Sequence, residues 1–574
     1  MLEVFSSFLS GAPENFKILF EIGVMLIVSG ILAFLIKLLR QPLIPAYIIA
    51  GIILGPLFLG LIEDKNIILS LSEIGVAFLL FYAGLEINFK KLKETGAIAG
   101  FVGIVQIIAL IILGFLIALL MGFLPVEAVY IGLVVAFSST MIVVKLLSDK
   151  QQINTLHGRI ILGVLLIQDL AAILALTILS NNTGFSYNFV LISLFKIGIF
   201  IIIAFLLAKL SNLVFEVAAK SNELMLLIPI AFLFLFSLFS YFSGLSLVIG
   251  AFFAGLALSN SKFKVEIQGR VGSIRDFFAI IFFVALGMQL TLFPKNLLYL
   301  FFVLIVLTII FKPLIIMISM KIAGYKKRVS FLTGIALAQT SEFSLIILGQ
   351  GLSSGSITHE LFSMLVLLTI ISMSLTSYIV RYDSKLFNLF SSILDIFGIA
   401  AEGKKDYEYI PSRKNKIIIF GCHRMGSLLL DEFSDMKKNT LVVDFNPVII
   451  KALMKKKISC IYGDFANREV LEKANLESAE IIISTIPGLN DNLLLIKKVK
   501  EKNKEAIIFI SADRISEAEK LYEAGADYVI LPQALGGEKS AELIRKVFKD
   551  KNKAKSIKKE ALERIKKIHH ILYD

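Results

Sequence analysis

The chain has 574 residues, 57% of them hydrophobic and only 18% charged, where a soluble protein of this size carries about 25% charged residues. Its apolar residues fall in repeated runs of about 20, the length that crosses a hydrocarbon core about 30 Å thick, so the sequence reads as a polytopic α-helical membrane protein. The net charge of +13 sits in short loops between those runs and in a Lys-rich tail. That is a membrane-protein pattern and excludes a nucleic-acid binder. The two cysteines, Cys422 and Cys460, are too few for a disulfide framework and fit a reducing compartment. Residues 1–17 lack a basic start followed by a short apolar core, so no cleaved leader is expected.

About thirteen spans are expected, centred near residues 27, 50, 77, 108, 136, 169, 199, 232, 251, 282, 309, 341 and 369. Alternate loops carry the cations, among them Lys90, Lys91 and Lys93; Lys145, Lys150 and Arg159; and Lys326, Lys327 and Arg328. The positive-inside rule then puts the N-terminus outside a cell (inner or plasma) membrane and the C-terminus in the cytoplasm. An odd number of spans agrees.

An internal repeat appears at an offset of about 200 residues. Residues 49–56 (IAGIILGP) match 249–256 (IGAFFAGL), 81–87 (FYAGLEI) match 283–290 (FVALGMQL), and 133–140 (LVVAFSST) match 335–342 (IALAQTSE). The last pair lies an odd number of spans apart, so the two copies run in opposite directions. Inverted repeats mark alternating-access transporters with a site near the midplane.

An ionisable group at that depth is costly and points to function. Asp169 stands beside Gln168 in GVLLIQDLAAILAL, and repeat symmetry sets Ile371 at the equivalent position of the second half. A carboxylate there can bind a proton or a small cation, but not both, which is the chemistry of an ion/proton exchanger. One such carboxylate suggests one charge out for one charge in. Lys312, just before Pro313, lies mid-span as a counter-charge for a site carboxylate or as one half of a structural ion pair. Lys196 reads as snorkelling or structural. The segments 137–140 and 339–344 concentrate hydroxyls, with the single acid Glu342. Hydroxyls can satisfy backbone groups freed where a helix is interrupted, or simply join helices. Neither segment has Gly or Pro at its polar core.

Gln168-Asp169, the SST and QTSEF segments, FFVALGM and Lys312 together resemble the monovalent cation:proton antiporter-2 family, closest to its glutathione-gated potassium efflux (Kef-type) branch, over residues 16–380. The resemblance implies a sodium/proton-antiporter-like fold of thirteen spans, a homodimer, and a core domain that moves like an elevator. It also implies that Asp169 is the cation and proton ligand and that spans five and twelve cross beside it; Gln168, Ser138, Ser139 and Thr140 are expected to share in binding the cation or proton. Gln-Asp goes with the potassium branch, and Asn-Asp or Asp-Asp with sodium. The family's lysine maps onto Lys312. Beside a neutral Gln168 it lacks an acidic neighbour, which points to Glu342 or a looser role.

Residues 1–380 form the exchanger domain and 381–414 a linker with an amphipathic stretch at 386–399. From 416 onward six apolar strands (416–420, 440–444, 459–463, 480–486, 506–511 and 527–531) alternate with helical segments. That predicts a doubly wound α/β Rossmann-like domain over 415–534. The loop Gly421-Cys-His-Arg-Met-Gly426 opens a helix, and Asp444 ends the next strand. This is the dinucleotide-type arrangement, with phosphate on the helix N-terminus and Asp444 on the ribose. The second glycine of the fingerprint is replaced by His423, which weakens the case for a dinucleotide and leaves a mononucleotide open. Asp444, Gly463-Asp464 and residues 484–487 (STIP) resemble the nucleotide-binding domain that regulates potassium conductance and Trk-type uptake. An adenine nucleotide (AMP, ATP or NAD) is therefore expected at Gly421, His423, Arg424, Met425, Gly426, Asp444, Asp464 and Thr485. A purely structural, dimerising domain is the alternative. Cys422 reads as an inert loop cysteine, and 535–574 as a basic helical tail.

The sequence thus points to a secondary antiporter exchanging K+, or else Na+, for protons under nucleotide control, and not to an enzyme. A potassium channel lacks its TVGYG filter here. A pump lacks its phosphate loop, since GGEKS at 536–540 only superficially resembles one.

Overall fold

The computed structural model describes residues 14–39, 41–60, 65–87, 89–150, 152–153, 155–179, 195–196, 198–200, 202–204, 206–207, 214–219, 221–325, 327–383, 385–387, 389–390, 408–409, 415–422, 424–463, 468–486, 488–550 and 554–562. The chain divides into two units, a helical one and an α/β one.

Helices of the first unit are α1 (Glu14–Leu38), α2 (Ile44–Leu54), α3 (Lys65–Glu86), α4 (Phe89–Leu120), α5 (Pro125–Ala136), α6 (Thr140–Asp149), α7 (Leu156–Leu179), α8 (Leu224–Phe242), α9 (Leu247–Leu258) and α10 (Lys264–Met288). They continue with α11 (Asn296–Val306), α12 (Lys312–Ile322), α13 (Lys327–Ala336), α14 (Glu342–Ser353) and α15 (His359–Arg381). Among the described residues, eight helical segments are long and apolar enough to cross a membrane, counting α5–α6 and α11–α12 as one each, and two shorter apolar helices, α2 and α9, accompany them. In hydrocarbon a helix is the natural choice, because it satisfies its own backbone. The span expected near 199 has only 195–196, 198–200, 202–204 and 206–207 described.

Local chemistry sets the boundaries. The turn after α4 passes through Gly122 at φ 85°, and α5 opens with Pro125 while Glu127 accepts the Leu124 N–H at 3.1 Å. Between α8 and α9, Gly244 adopts φ 72° and Ser246 caps the new helix. Lys196 Nζ donates to the Ser243 carbonyl at 2.7 Å, pinning that turn.

Glycines let the repeat segments pack against each other. A Cβ at Gly51 would strike the Val284 carbonyl and the Gly287 Cα, and one at Gly255 would strike the Phe81 carbonyl. The first segment of each copy thus lies against the second segment of the other, as a pseudo-two-fold axis requires. Small residues at such contacts let backbones approach closely.

The second unit contains β1 (Glu408–Tyr409), β2 (Ile417–Phe420), α16 (Arg424–Glu432), β3 (Thr440–Asp444), α17 (Pro447–Lys455), β4 (Cys460–Tyr462) and α18 (Arg468–Ala474). After these come β5 (Ile481–Ser484), α19 (Leu489–Lys502), β6 (Ile507–Ser511), α20 (Ile515–Glu523), β7 (Tyr528–Ile530) and α21 (Pro532–Lys549). The strand order is β1-β4-β3-β2-β5-β6-β7, with β2 through β7 parallel and β1 antiparallel on the edge. The six expected strands are all present, in the doubly wound order with its switch point between β2 and β5. Strand β1 is additional and falls inside the segment read as linker; of the amphipathic stretch at 386–399, residues 388 and 391–399 lie outside the described residues. Apolar β2 and β3 are buried on both faces, as a sheet covered by helices demands.

Candidate functional site

The two hydroxyl-rich segments are breaks in helices. Residues 137–139 separate α5 from α6, and 337–341 separate α13 from α14. The breaks meet: Ser138 Oγ donates to the Leu337 carbonyl at 2.9 Å, Ser139 Oγ to Glu342 Oε2 at 2.7 Å, and Ser344 Oγ to the Val134 carbonyl at 2.9 Å. Ser139 and Ser341 cap the N-termini of α6 and α14.

A helix that stops inside an apolar core leaves its last carbonyls bare, and each needs a donor. Side chains supply them. Lys312 Nζ donates to the carbonyls of Val135 (3.0 Å), Phe137 (2.8 Å) and Gln339 (2.6 Å). Gln106 Nε2 takes Ala136 O at 3.0 Å, and Thr376 Oγ1 takes Ala338 O at 2.5 Å. Three acceptors match the three N–H groups of an ammonium, and a cation suits the C-terminal, negative ends of two helices. The structure therefore sets Lys312 on main-chain carbonyls of both breaks; none of its three hydrogen bonds reaches a carboxylate. The backbone prepares this position: Leu307–Phe311 is a π-turn, closed by the Lys312 N–H on the Leu307 carbonyl. Lys312 is followed by Pro313, which has no N–H to continue the ladder.

Asp169, on α7, faces the first residue of α6. Thr140 Oγ1 lies 3.0 Å from each carboxylate oxygen. Asp169, Thr140 and Glu342 are half-buried, whereas Ser138, Ser139, Gln168, Gln339 and Lys312 around them are fully buried. Accessibility within the crossing thus falls on the acids and Thr140. Glu342 and Glu86 lie within electrostatic reach of Asp169. Gln168 turns away from it and accepts the Ser138 N–H at 2.9 Å. The Ser138 hydroxyl also points elsewhere, to Leu337. In the second half the repeat sets Thr340 opposite Ser138 and Glu342 opposite Thr140, and Ser372, next to Ile371, lies with its Oγ 3.0 Å from Thr340 Oγ1.

Sequence reasoning missed Gln106, whose only signal is a lone amide in an apolar run, and the cluster at the end of α3. There Arg275 stacks on the Tyr82 ring at 3.7 Å and lies within electrostatic reach of Glu86.

In the α/β unit Gly421 adopts φ 85°, and a Cβ there would crowd Thr485 Oγ1. Thr485 Oγ1 donates to the Gly421 carbonyl at 2.9 Å, and a Cβ at Gly426 would strike that same carbonyl. Asp444 uses both oxygens internally, accepting the N–H groups of Cys422 (2.6 Å) and Asn446 (2.7 Å). Met425 is half-buried at the start of α16. His423, Asp464 and the Arg424 side chain lie outside the described residues. Burial, with Asp444 and Cys460 adding to it, pushes the Cys422 thiol up to about 12, so it is not a thiolate near neutral pH.

Two interrupted helices meeting beside an intramembrane carboxylate are the parts of a secondary transporter. The transmembrane sodium/hydrogen exchanger family model matches residues 23–381, and the TrkA-N domain model matches 417–532. The chain belongs to the sodium/hydrogen exchanger family, as a multi-pass monovalent cation/proton antiporter of the antiporter-2 group with a soluble C-terminal TrkA-N domain. It is a transporter and not an enzyme. It is 30% identical to K(+) efflux antiporter 5 of Arabidopsis thaliana over 386 residues, 65% of this chain and 68% of that protein. The putative cation/proton antiporter YbaL of Escherichia coli (strain K12) is 27% identical over 533 residues, 88% of this chain and 93% of the relative. The glutathione-regulated potassium-efflux system protein KefC of Klebsiella pneumoniae (strain 342) is 27% identical over 492 residues, covering 84% and 77%.

Proposed function

We propose that this protein exchanges K+ for protons, one for one, by alternating access at Asp169. The observation that carries the reading is the half-buried Asp169 carboxylate, held by Thr140 at the N-terminus of α6 and flanked by Glu342. Thr140 has one proton for two carboxylate oxygens, so Asp169 keeps lone pairs for a cation or a proton. Ser138, Ser139 and Gln168 form the frame around it, and Lys312 stabilises the breaks on which the site stands. The neutral Gln168 and the names of the potassium-efflux relatives support K+ over Na+.

The protein works as a homodimer, with its N-terminus outside and the α/β domain in the cytoplasm, where the loop cations fall. Residues 1–380 transport, 381–414 link, 415–534 regulate and 535–574 form the tail. An adenine nucleotide binds at the loop from Gly421 to Gly426, with Asp464 and Thr485 beside it. Asp444 shapes the loop through its two backbone contacts, which favours a phosphate-centred grip over a ribose-centred one.

Proteoliposomes with an imposed pH gradient test the proposal. Added K+ should release the gradient, Na+ should do so far less, and AMP, ATP or NAD should change the rate. Na+ matching K+ would transfer the assignment to a sodium/proton exchanger. A rate indifferent to all three nucleotides would remove the regulatory role.

A further inference from the structure

Helix α6 joins two contacts. At its first residue Thr140 meets Asp169, and at its C-cap stands Lys150. Lys150 Nζ lies 2.6 Å from Asp383 Oδ2 and 2.7 Å from the Val380 carbonyl. Val380 is in the last turn of α15, and Asp383 follows it, where the linker toward the α/β domain begins. The Asp383 side chain is 7% exposed and that of Lys150 25%, so this is no ordinary surface pair. His157 lies within electrostatic reach of Asp383, Lys150 and Arg328.

We propose that the Lys150–Asp383 ion pair is a positioning contact that holds Thr140 against Asp169 and ties the cation site to the root of the linker. Ten residues of α6 (TMIVVKLLSD) contain no Gly or Pro and form a rod about 15 Å long. With such a rod, a tilt of about 4° moves the far end by about 1 Å, enough to break the 3.0 Å contacts of Thr140. The same α15 carries Ser372 and Thr376, which hold Thr340 and Ala338 at the second break. A displacement of the chain at Asp383 therefore reaches both breaks, one through α6 and one through α15.

The inference rests on the assignment of Asp169 as the transported-ion ligand, and its test separates the two. Half-saturating K+ for proton flux is measured in proteoliposomes for the full chain and for Asp383→Asn, Lys150→Met, Lys150→Arg, the exchanged pair Lys150→Asp with Asp383→Lys, and Asp169→Asn. Asp383→Asn and Lys150→Met should raise half-saturation about fivefold, with the smaller part of the effect on maximal rate. The exchanged pair or Lys150→Arg should recover most of the loss. On a Thr140→Val background Asp383→Asn should add nothing, because the contact it positions is already gone. Unchanged half-saturation in Asp383→Asn, or a full additional effect on that background, would overturn the inference while Asp169→Asn remains inactive. Asp169→Asn transporting like the wild type would remove the site itself, and the positioning role with it.

Discussion

Replacing Lys312 by Met keeps the length and apolar stem of the side chain and removes its three N–H groups. The carbonyls of Val135, Phe137 and Gln339 then lose the donor that each now has at 2.6–3.0 Å. A buried acceptor left bare costs about 1–3 kcal/mol. Water entering the gap would recover part of that, so the low end applies, about 3 kcal/mol for the three. A loss of that size lowers the unfolding midpoint by roughly 6–12 °C in a domain of about 200 residues, and by less in this larger one. The assay is thermal unfolding of the purified protein in detergent, with Glu342→Gln as the comparison. Lys312→Met should melt several degrees lower and Glu342→Gln near the wild type. If Lys312→Met instead melts with the wild type and only shifts the pH dependence of flux, the lysine acts as a counter-charge and the carbonyl-tying role is wrong.

Three further outcomes follow from named contacts. Thr140→Val keeps the shape of the side chain but removes the hydroxyl that donates to Asp169, and half-saturating K+ should rise about tenfold, the worth of a hydrogen bond to a charged group; an unchanged value would mean that Thr140 is only a helix-starting residue. Gly255→Ala puts a methyl group into the Phe81 carbonyl and should cost about 1–3 kcal/mol, seen as a lower melting midpoint, whereas Gly269→Ala, which meets nothing within 4 Å, should not. Cys422, with its thiol pushed up to about 12, should resist maleimide in the folded protein at pH 7.5 and react once the α/β domain is unfolded; rapid labelling of the native protein would contradict the burial described for it.

Much of the site could be read from residue types that hydrocarbon does not tolerate without a reason. Asp169 stood out because a lone carboxylate in an apolar run has few structural uses, whereas the hydroxyls of 137–140 and 339–344, with no Gly or Pro among them, left helix breaks and simple interhelical contacts equally open. Those breaks are sustained by donors from elsewhere in the chain, and this is where the sequence falls short. The carbonyls of Ala136 and Val135 carry no sequence signature, so nothing pairs Gln106 or Lys312 with them across 30 and 177 residues. The Lys150–Asp383 pair spans 233 residues for the same reason. In the α/β unit, alternating strands and the loop after β2 gave the doubly wound class, but two-residue β1 is too short to show a period. Asp444 was expected to face a ribose; its geometry shows that a carboxylate at a strand end can equally serve its own loop.

The central claim is that Asp169 exchanges a proton for a cation, and K+-dependent proton flux in proteoliposomes bearing wild type or Asp169→Asn tests it most directly. The account predicts flux that needs both K+ and the pH gradient in the wild type and is abolished in the variant, with both proteins melting alike. Cation movement that survives the substitution, or runs without moving protons, would contradict it.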